Sequence, residues 1–211
     1  ALPAEPSEVP CEVLFCRQTG KYVMWAHYEN GENYLDARCC IATCDTPDGD
    51  FVYHGSFNPY GYMSRDCTLF QDDDGKAYFL SAARDNADLH VYLLSEDLLN
   101  VKKHVNTLWQ GEYREAPAVF KRNRKYYILS SYCTGWMPNQ GKWAVGSSME
   151  EPFSELAGFG NETTFDSQPA FVLSLDEDGC QRYVYWADRW CYEGTELIVQ
   201  EGGGNSMDVY S

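Results

Sequence analysis

One pattern occurs four times along this chain, and it limits the fold more than any single motif does. The pattern is a short apolar run, a polar turn, a basic residue and a second apolar, aromatic run. It reads Val13-Leu14-Phe15 then Lys21-Tyr22-Val23-Met24-Trp25, and Thr68-Leu69-Phe70 then Lys76-Ala77-Tyr78-Phe79-Leu80. It returns as Ala118-Val119-Phe120 then Lys125-Tyr126-Tyr127-Ile128-Leu129, and as Phe171-Val172-Leu173 then Arg182-Tyr183-Val184-Tyr185-Trp186. The second runs begin roughly 50 to 57 residues apart. Between the runs lie Gln18-Thr19-Gly20, Asp72-Asp73-Asp74-Gly75, Arg122-Asn123-Arg124 and Asp176-Glu177-Asp178-Gly179, which is hairpin chemistry.

A third strand candidate follows each hairpin: Cys40 to Thr43, His90 to Leu94, Lys142 to Val145 and Glu196 to Val199. A fourth follows in the first three repeats, as in Phe51-Val52-Tyr53-His54. Four antiparallel strands per unit of about fifty residues predict an all-β chain built as a β-propeller, with blades near 12–60, 66–110, 115–160 and 168–200 of a single domain spanning 1–211. The competing reading is a sandwich with accidental similarity, and four matches in register weigh against it. Helical periodicity is nearly absent; Ser95 to Leu99 forms one turn at most. Gly202-Gly203-Gly204 breaks the last repeat, so the tail 205–211 is expected to add no outer strand.

Composition narrows the function. The 211 residues suffice for one substantial core. A net charge of -16 repels a nucleic-acid backbone. No apolar run approaches the roughly 20 residues of a membrane helix, and any signal peptide is expected to have been removed. Aromatics at 15%, with 16 Tyr and 6 Trp, favour strands and carbohydrate or peptide surfaces. Nine cysteines without a paired C-x-x-C speak against a zinc ribbon and for an oxidising compartment with disulfides. Cys39, Cys40, Cys44, Cys67 and Cys191 are the candidates for staples, and the odd count leaves at least one thiol over. The sequon Asn161-Glu162-Thr163 agrees with a secreted glycoprotein.

In a propeller the first strands of all blades start at the same end of the axis. Those starts here read Ser64-Arg65-Asp66-Cys67, Tyr113-Arg114-Glu115-Ala116-Pro117 and Asp166-Ser167-Gln168-Pro169. Two carboxylates and a carboxamide are thus expected to converge, with Arg65 and Arg114 beside them. Two carboxylates in a cleft fit glycoside hydrolysis, one protonated to release the leaving oxygen while a second group handles water. Residue types alone allow equally that Asp66 and Glu115 are ion-paired structural groups closing the axis.

Six segments in order, over about residues 12–190, resemble glycoside hydrolase family 43. They are Gly20 to Trp25, Gly61-Tyr62-Met63-Ser64-Arg65-Asp66, Asp72 to Tyr78, Tyr113 to Ala118, Thr134-Gly135-Trp136 with Pro138-Asn139-Gln140-Gly141, and Asp166 to Pro169. The branch they most resemble is the galactan 1,3-β-galactosidase type. The resemblance implies a five-bladed propeller and inverting cleavage of a β-1,3-galactan-type polysaccharide. It implies Glu115 as general acid, Asp66 holding the sugar and tuning the acid, and Gln168 positioning the attacking water. Trp136 would offer an apolar face to a galactose ring, although a blade-packing role is the alternative. Arg65, Tyr113, Asn139 and Arg189 complete the implied sugar-binding set. No cofactor is implied, and a metal ion on the axis is left open.

Two departures matter. The family has five blades and this chain has four repeats, the first blade being the missing one. The family's Glu-Arg-Pro motif aligns with Val9-Pro10-Cys11, and neighbouring Glu8 is one residue out of step, which turns a strand side chain to the other face. The chain is therefore a fragment of a longer enzyme, a piece of a cleaved protein, or a relative that has lost catalysis and serves as a carbohydrate-binding or structural subunit. In each case the open edges are expected to be filled by sequence outside these residues, another chain or a second copy.

Overall fold

Alternating apolar and polar residues with β-branched and aromatic enrichment produce strands almost throughout. The computed structural model describes residues 11–135, 137–177, 180–189, 192–201 and 207–210. Among these the only helical turn is a short 3-10 turn at Pro59–Gly61. The chain divides into two compact units, Ala1–Tyr113 and Arg114–Ser211.

The first unit holds two antiparallel four-stranded meanders. One is β1 (Cys11–Cys16), β2 (Lys21–Tyr28), β3 (Arg38–Cys44) and β4 (Val52–Phe57); the other is β5 (Cys67–Gln71), β6 (Ala77–Ala83), β7 (Asp88–Leu94) and β8 (Val101–Leu108). Every residue of β6 is buried, as a strand covered on both faces must be. Trp25 anchors the core between the sheets, 1% exposed, against Phe79 at 4.7 Å, with its indole N–H donating to the Leu98 carbonyl at 2.8 Å.

The second unit repeats the plan. Its first sheet is β9 (Arg114–Arg122), β10 (Lys125–Tyr132), β11 (Lys142–Gly146) and the two-residue β12 (Ala157–Gly158). Its second is β13 (Ser167–Glu177), β14 (Cys180–Arg189), β15 (Tyr192–Glu201) and β16 (Met207–Tyr210). Ala118, Phe120, Leu129, Phe159, Tyr183, Tyr185 and Ala187 form the core between them. The β9–β10 turn carries Asn123 and Arg124 at φ 50 and 61, the paired left-handed geometry that tightens a two-residue hairpin.

The four sheets are four-stranded antiparallel propeller blades. Two expectations need correction. The tail does supply an outer strand: β16 pairs with β15 from Ile198↔Tyr210 to Glu201↔Met207. Met207-Asp208-Val209-Tyr210 is short, but it alternates as a strand must, and the glycine run precedes rather than replaces it.

Among the described residues the expected disulfide staples do not form either. Cys16, Cys39, Cys40, Cys44, Cys67 and Cys133 are thiols, and no disulfide joins any of them. Cys16, Cys39 and Cys67 lie in the apolar core of the first unit, where a thiol packs as a small hydrophobe. Cys191 lies outside the described residues.

Candidate active site

The Arg114-Glu115-Ala116-Pro117 segment is shaped by its proline. Pro117 cannot donate to the ladder, so β9 bulges: Leu129 faces Ala118, but Ser131 faces Glu115, leaving two residues of β9 against one of β10. Ala116 takes a left-handed φ of 49 to make the bulge, and Tyr113 another of 51 on the near side of Glu115. Arg114 is buried and locked, its Nε donating to Ser130 Oγ at 3.0 Å and its Nη2 to the Ser130 carbonyl at 2.7 Å. Arg114 is thereby anchored on β10, and Glu115, half-buried, is aimed from a rigid strand.

A second bulge, between Pro169 and Phe171, follows Gln168 on β13. Three consecutive left-handed residues deliver the chain to it: Thr164, Phe165 and Asp166 at φ 53, 57 and 57. Such residues cost about 1–2 kcal/mol each. Offsetting bonds come from Asn161 Oδ1, which accepts from the Phe165 N–H at 2.7 Å, and from the Thr163 hydroxyl, which accepts from the Asp166 N–H at 3.3 Å. Gln168 Nε2 donates to Glu115 Oε1 at 3.1 Å and to Ser131 Oγ at 2.7 Å. The structure thus brings together two of the residues singled out from sequence, Glu115 and Gln168. It adds Ser131, 3% exposed, whose only signal in the sequence is a pair of serines inside an apolar strand.

The loop between β10 and β11 is held from inside. Asn139 Oδ1 accepts from the Tyr132 N–H at 2.9 Å, and its Nδ2 donates to the Tyr132 carbonyl at 2.9 Å and Thr134 Oγ1 at 2.8 Å. The side chain expected on the sugar is engaged with its own loop. Thr164 Oγ1 joins this loop to the approach to β13 by donating to the Asn139 carbonyl at 2.9 Å. Gly141 is required here, since a Cβ would lie 2.4 Å from the Phe159 ring. Trp136 lies outside the described residues, as does the Arg189 side chain; the Arg189 backbone pairs with Ser167.

In the first unit Asp66 is half-buried, with its backbone and that of Arg65 paired to Ala82. The segment before it is pinned by Ser64, whose N–H donates to the Ala37 carbonyl at 2.6 Å and whose hydroxyl meets Ser81 Oγ at 2.7 Å. Tyr62 packs edge-on against the buried His90, ring centroids 4.6 Å apart. Arg65 Nη2 donates to the Tyr34 carbonyl and to Asp85, each at 3.2 Å, and its Nε is buried without a partner among the described residues. Tyr113 is 45% exposed.

Sequence reading missed one titratable group here. Glu12 on β1 accepts from Thr68 Oγ1 at 2.5 Å and from the Leu69 N–H at 2.6 Å, and burial pushes its carboxyl up to about 7 against those bonds. Among the described residues no cluster of three His, Cys, Asp or Glu side chains could hold a metal ion.

Residues 14–158 match the profile described as "Glycosyl hydrolases family 43". The chain belongs to glycosyl hydrolase family 43. Solved structures of similar family 43 chains agree. An exo-β-1,3-galactanase from Clostridium thermocellum is 39% identical with a TM-score of 0.91, covering 94% of this chain and 48% of its own. An exo-β-1,3-galactanase from Phanerochaete chrysosporium, solved with β-1,3-galactotriose, is 31% identical with a TM-score of 0.87, covering 95% and 47%. A curated relative, "Beta-D-galactofuranosidase xynD" of Aspergillus niger, is 32% identical over 97 residues, 45% of this chain and 28% of that protein. This chain spans about half the length of the solved galactanases it matches.

Proposed function

We propose that the protein is an inverting glycoside hydrolase acting on β-1,3-galactan. The observation that carries this reading is the Glu115–Gln168 contact at 3.1 Å, built on two bulged strands by two prolines. Glu115 is the general acid: it gives its proton to the glycosidic oxygen as the bond to the anomeric carbon breaks. Gln168 presents its carbonyl oxygen to the attacking water, whose oxygen bonds to the anomeric carbon and whose proton passes to solvent. A carboxamide is too weak a base to take that proton, so its part is orientation. Asp66 holds the sugar, Trp136 stacks on it, and Arg65, Tyr113 and Arg189 line the site. The galactanases among the similar structures support the choice of substrate. A polymeric substrate supports a secreted location.

The rest of the pocket comes from elsewhere in this reading. Phe171, Leu173 and Trp186 are exposed on one face of the last blade, with Phe171 and Trp186 stacked at 5.6 Å. Val13 and Phe15 are likewise exposed on β1. Further sequence of the same protein covers each of these exposed faces; the half-length match to the galactanases supports that source over a second copy.

The test is reducing-sugar release from β-1,3-galactan by the native protein and by Glu115→Gln. Loss of about 10²–10⁴-fold in the variant, with substrate binding retained, is expected. No release by the native protein, with galactan still bound, replaces the hydrolase by a catalytically lapsed binding module.

A further inference from the structure

A carboxamide is ambivalent: one end donates two hydrogen bonds, the other accepts, and the two ends have nearly the same shape. A group that holds an attacking water by accepting its hydrogen must present the oxygen and not the nitrogen. Gln168 has two N–H groups on Nε2 and two acceptors in reach, Glu115 Oε1 at 3.1 Å and Ser131 Oγ at 2.7 Å. A protonated carboxyl and a serine hydroxyl can each donate as well as accept, so neither alone fixes the orientation; it is the contact of both with the one nitrogen, Nε2, that marks which end of the carboxamide they hold.

Ser131 supplies the second anchor, and its position is set by the backbone. It faces Glu115 across the β9–β10 ladder at the bulge, and it is 3% exposed. Its neighbour Ser130 holds Arg114 on the same strand. Two adjacent buried serines therefore hold Arg114 at the start of β9 and the carboxamide of β13.

We infer that Ser131 is a positioning residue that binds one N–H of Gln168 while Glu115 binds the other, so that the carboxamide offers only its carbonyl oxygen to water. The inference rests on the proposed hydrolase reading for its consequence, though the clamp itself does not.

The experiment has two arms on the full chain. In the first, the side-chain amide protons of Gln168 are followed by ¹⁵N–¹H NMR, assigned by their loss in Gln168→Glu. Ser131→Ala should speed exchange of one of the two protons with solvent by about tenfold or more, and Ser131→Thr, which keeps the hydroxyl, should restore it. In the second, Ser131→Ala should lower kcat on β-1,3-galactan oligosaccharides about tenfold with KM within about twofold, and Ser131→Thr should recover kcat. Unchanged exchange in Ser131→Ala, or a raised KM at native kcat, overturns the inference. If Ser131→Ala does not fold, Ser131→Cys, with a similar volume and a weaker acceptor, takes its place under the same criteria. If the native protein releases no sugar, the hydrolase reading fails and the exchange arm alone decides the clamp.

Discussion

Glu115 and Ser131 face each other across the β9–β10 ladder at the one point where its register slips. Pro117 causes the slip and Ala116, at φ 49, absorbs it. The same local chemistry that interrupts the sheet aims the carboxyl, so the site and the irregularity have one cause.

Glu12 should make stability depend on pH. Its carboxyl titrates near 7 in the fold, above the 4.5 of a free glutamate, so between these values the folded state holds a proton that the unfolded state has lost. Stability from this group is complete below about 4.5 and declines as pH rises through about 7. Denaturant melts of Glu12→Gln should show a flatter profile over that window, with a difference of at most about 3 kcal/mol.

His90 acts with the opposite sign. Burial first, and then the neighbouring His104, lower it to about 4, while Asp88 opposes and Arg84 adds to the lowering. Its contribution is present above about 6.5 and is lost as pH falls toward 4. Because Tyr62 leans on this ring, acid should loosen the segment leading to Asp66. Thermal melts of His90→Asn should fall less steeply between these pH values than those of the native protein.

The blade repeat was legible because strand pairing repeats locally: paired apolar runs recur in every hairpin, and glycine ends three of the four turns. The contact between Glu115 and Gln168 was foreshadowed in the sequence because each stands near a proline at the start of a strand, Glu115 two residues ahead of Pro117 and Gln168 directly ahead of Pro169. The bonding of Asn139 within its own loop was not legible, for a physical reason. A carboxamide in a loop satisfies backbone groups or a ligand equally well, and only coordinates show that Tyr132 and Thr134 take it. Ser131 and Glu12 were invisible because their meaning lies in partners on other strands, at sequence separations of 37 and 56.

Asn139→Ala should free the β10–β11 loop. The lost bonds to Tyr132 and Thr134 predict a destabilisation of about 1–3 kcal/mol in denaturant melts. Because this loop is tied through Thr164 to the approach to Gln168, KM for galactan oligosaccharides should rise more than kcat falls.

The thiols should sort by burial. Cys39 and Cys67 are pushed well above the ordinary thiol range, chiefly by burial, and should react with a thiol-specific chromogen only after unfolding. Half-buried Cys44 and Cys133 should react first. Slow, graded labelling of the native protein is the expected trace, and immediate labelling of Cys39 would contradict the packing.

The central claim is inverting hydrolysis with Glu115 as the acid, and the anomer released from β-1,3-galactotriose tests it most directly. Proton NMR of the reaction in its first minutes should show α-galactose appearing before mutarotation, slowed about 10²–10⁴-fold in Glu115→Gln. β-galactose appearing first, or native turnover by Glu115→Gln, would contradict the account.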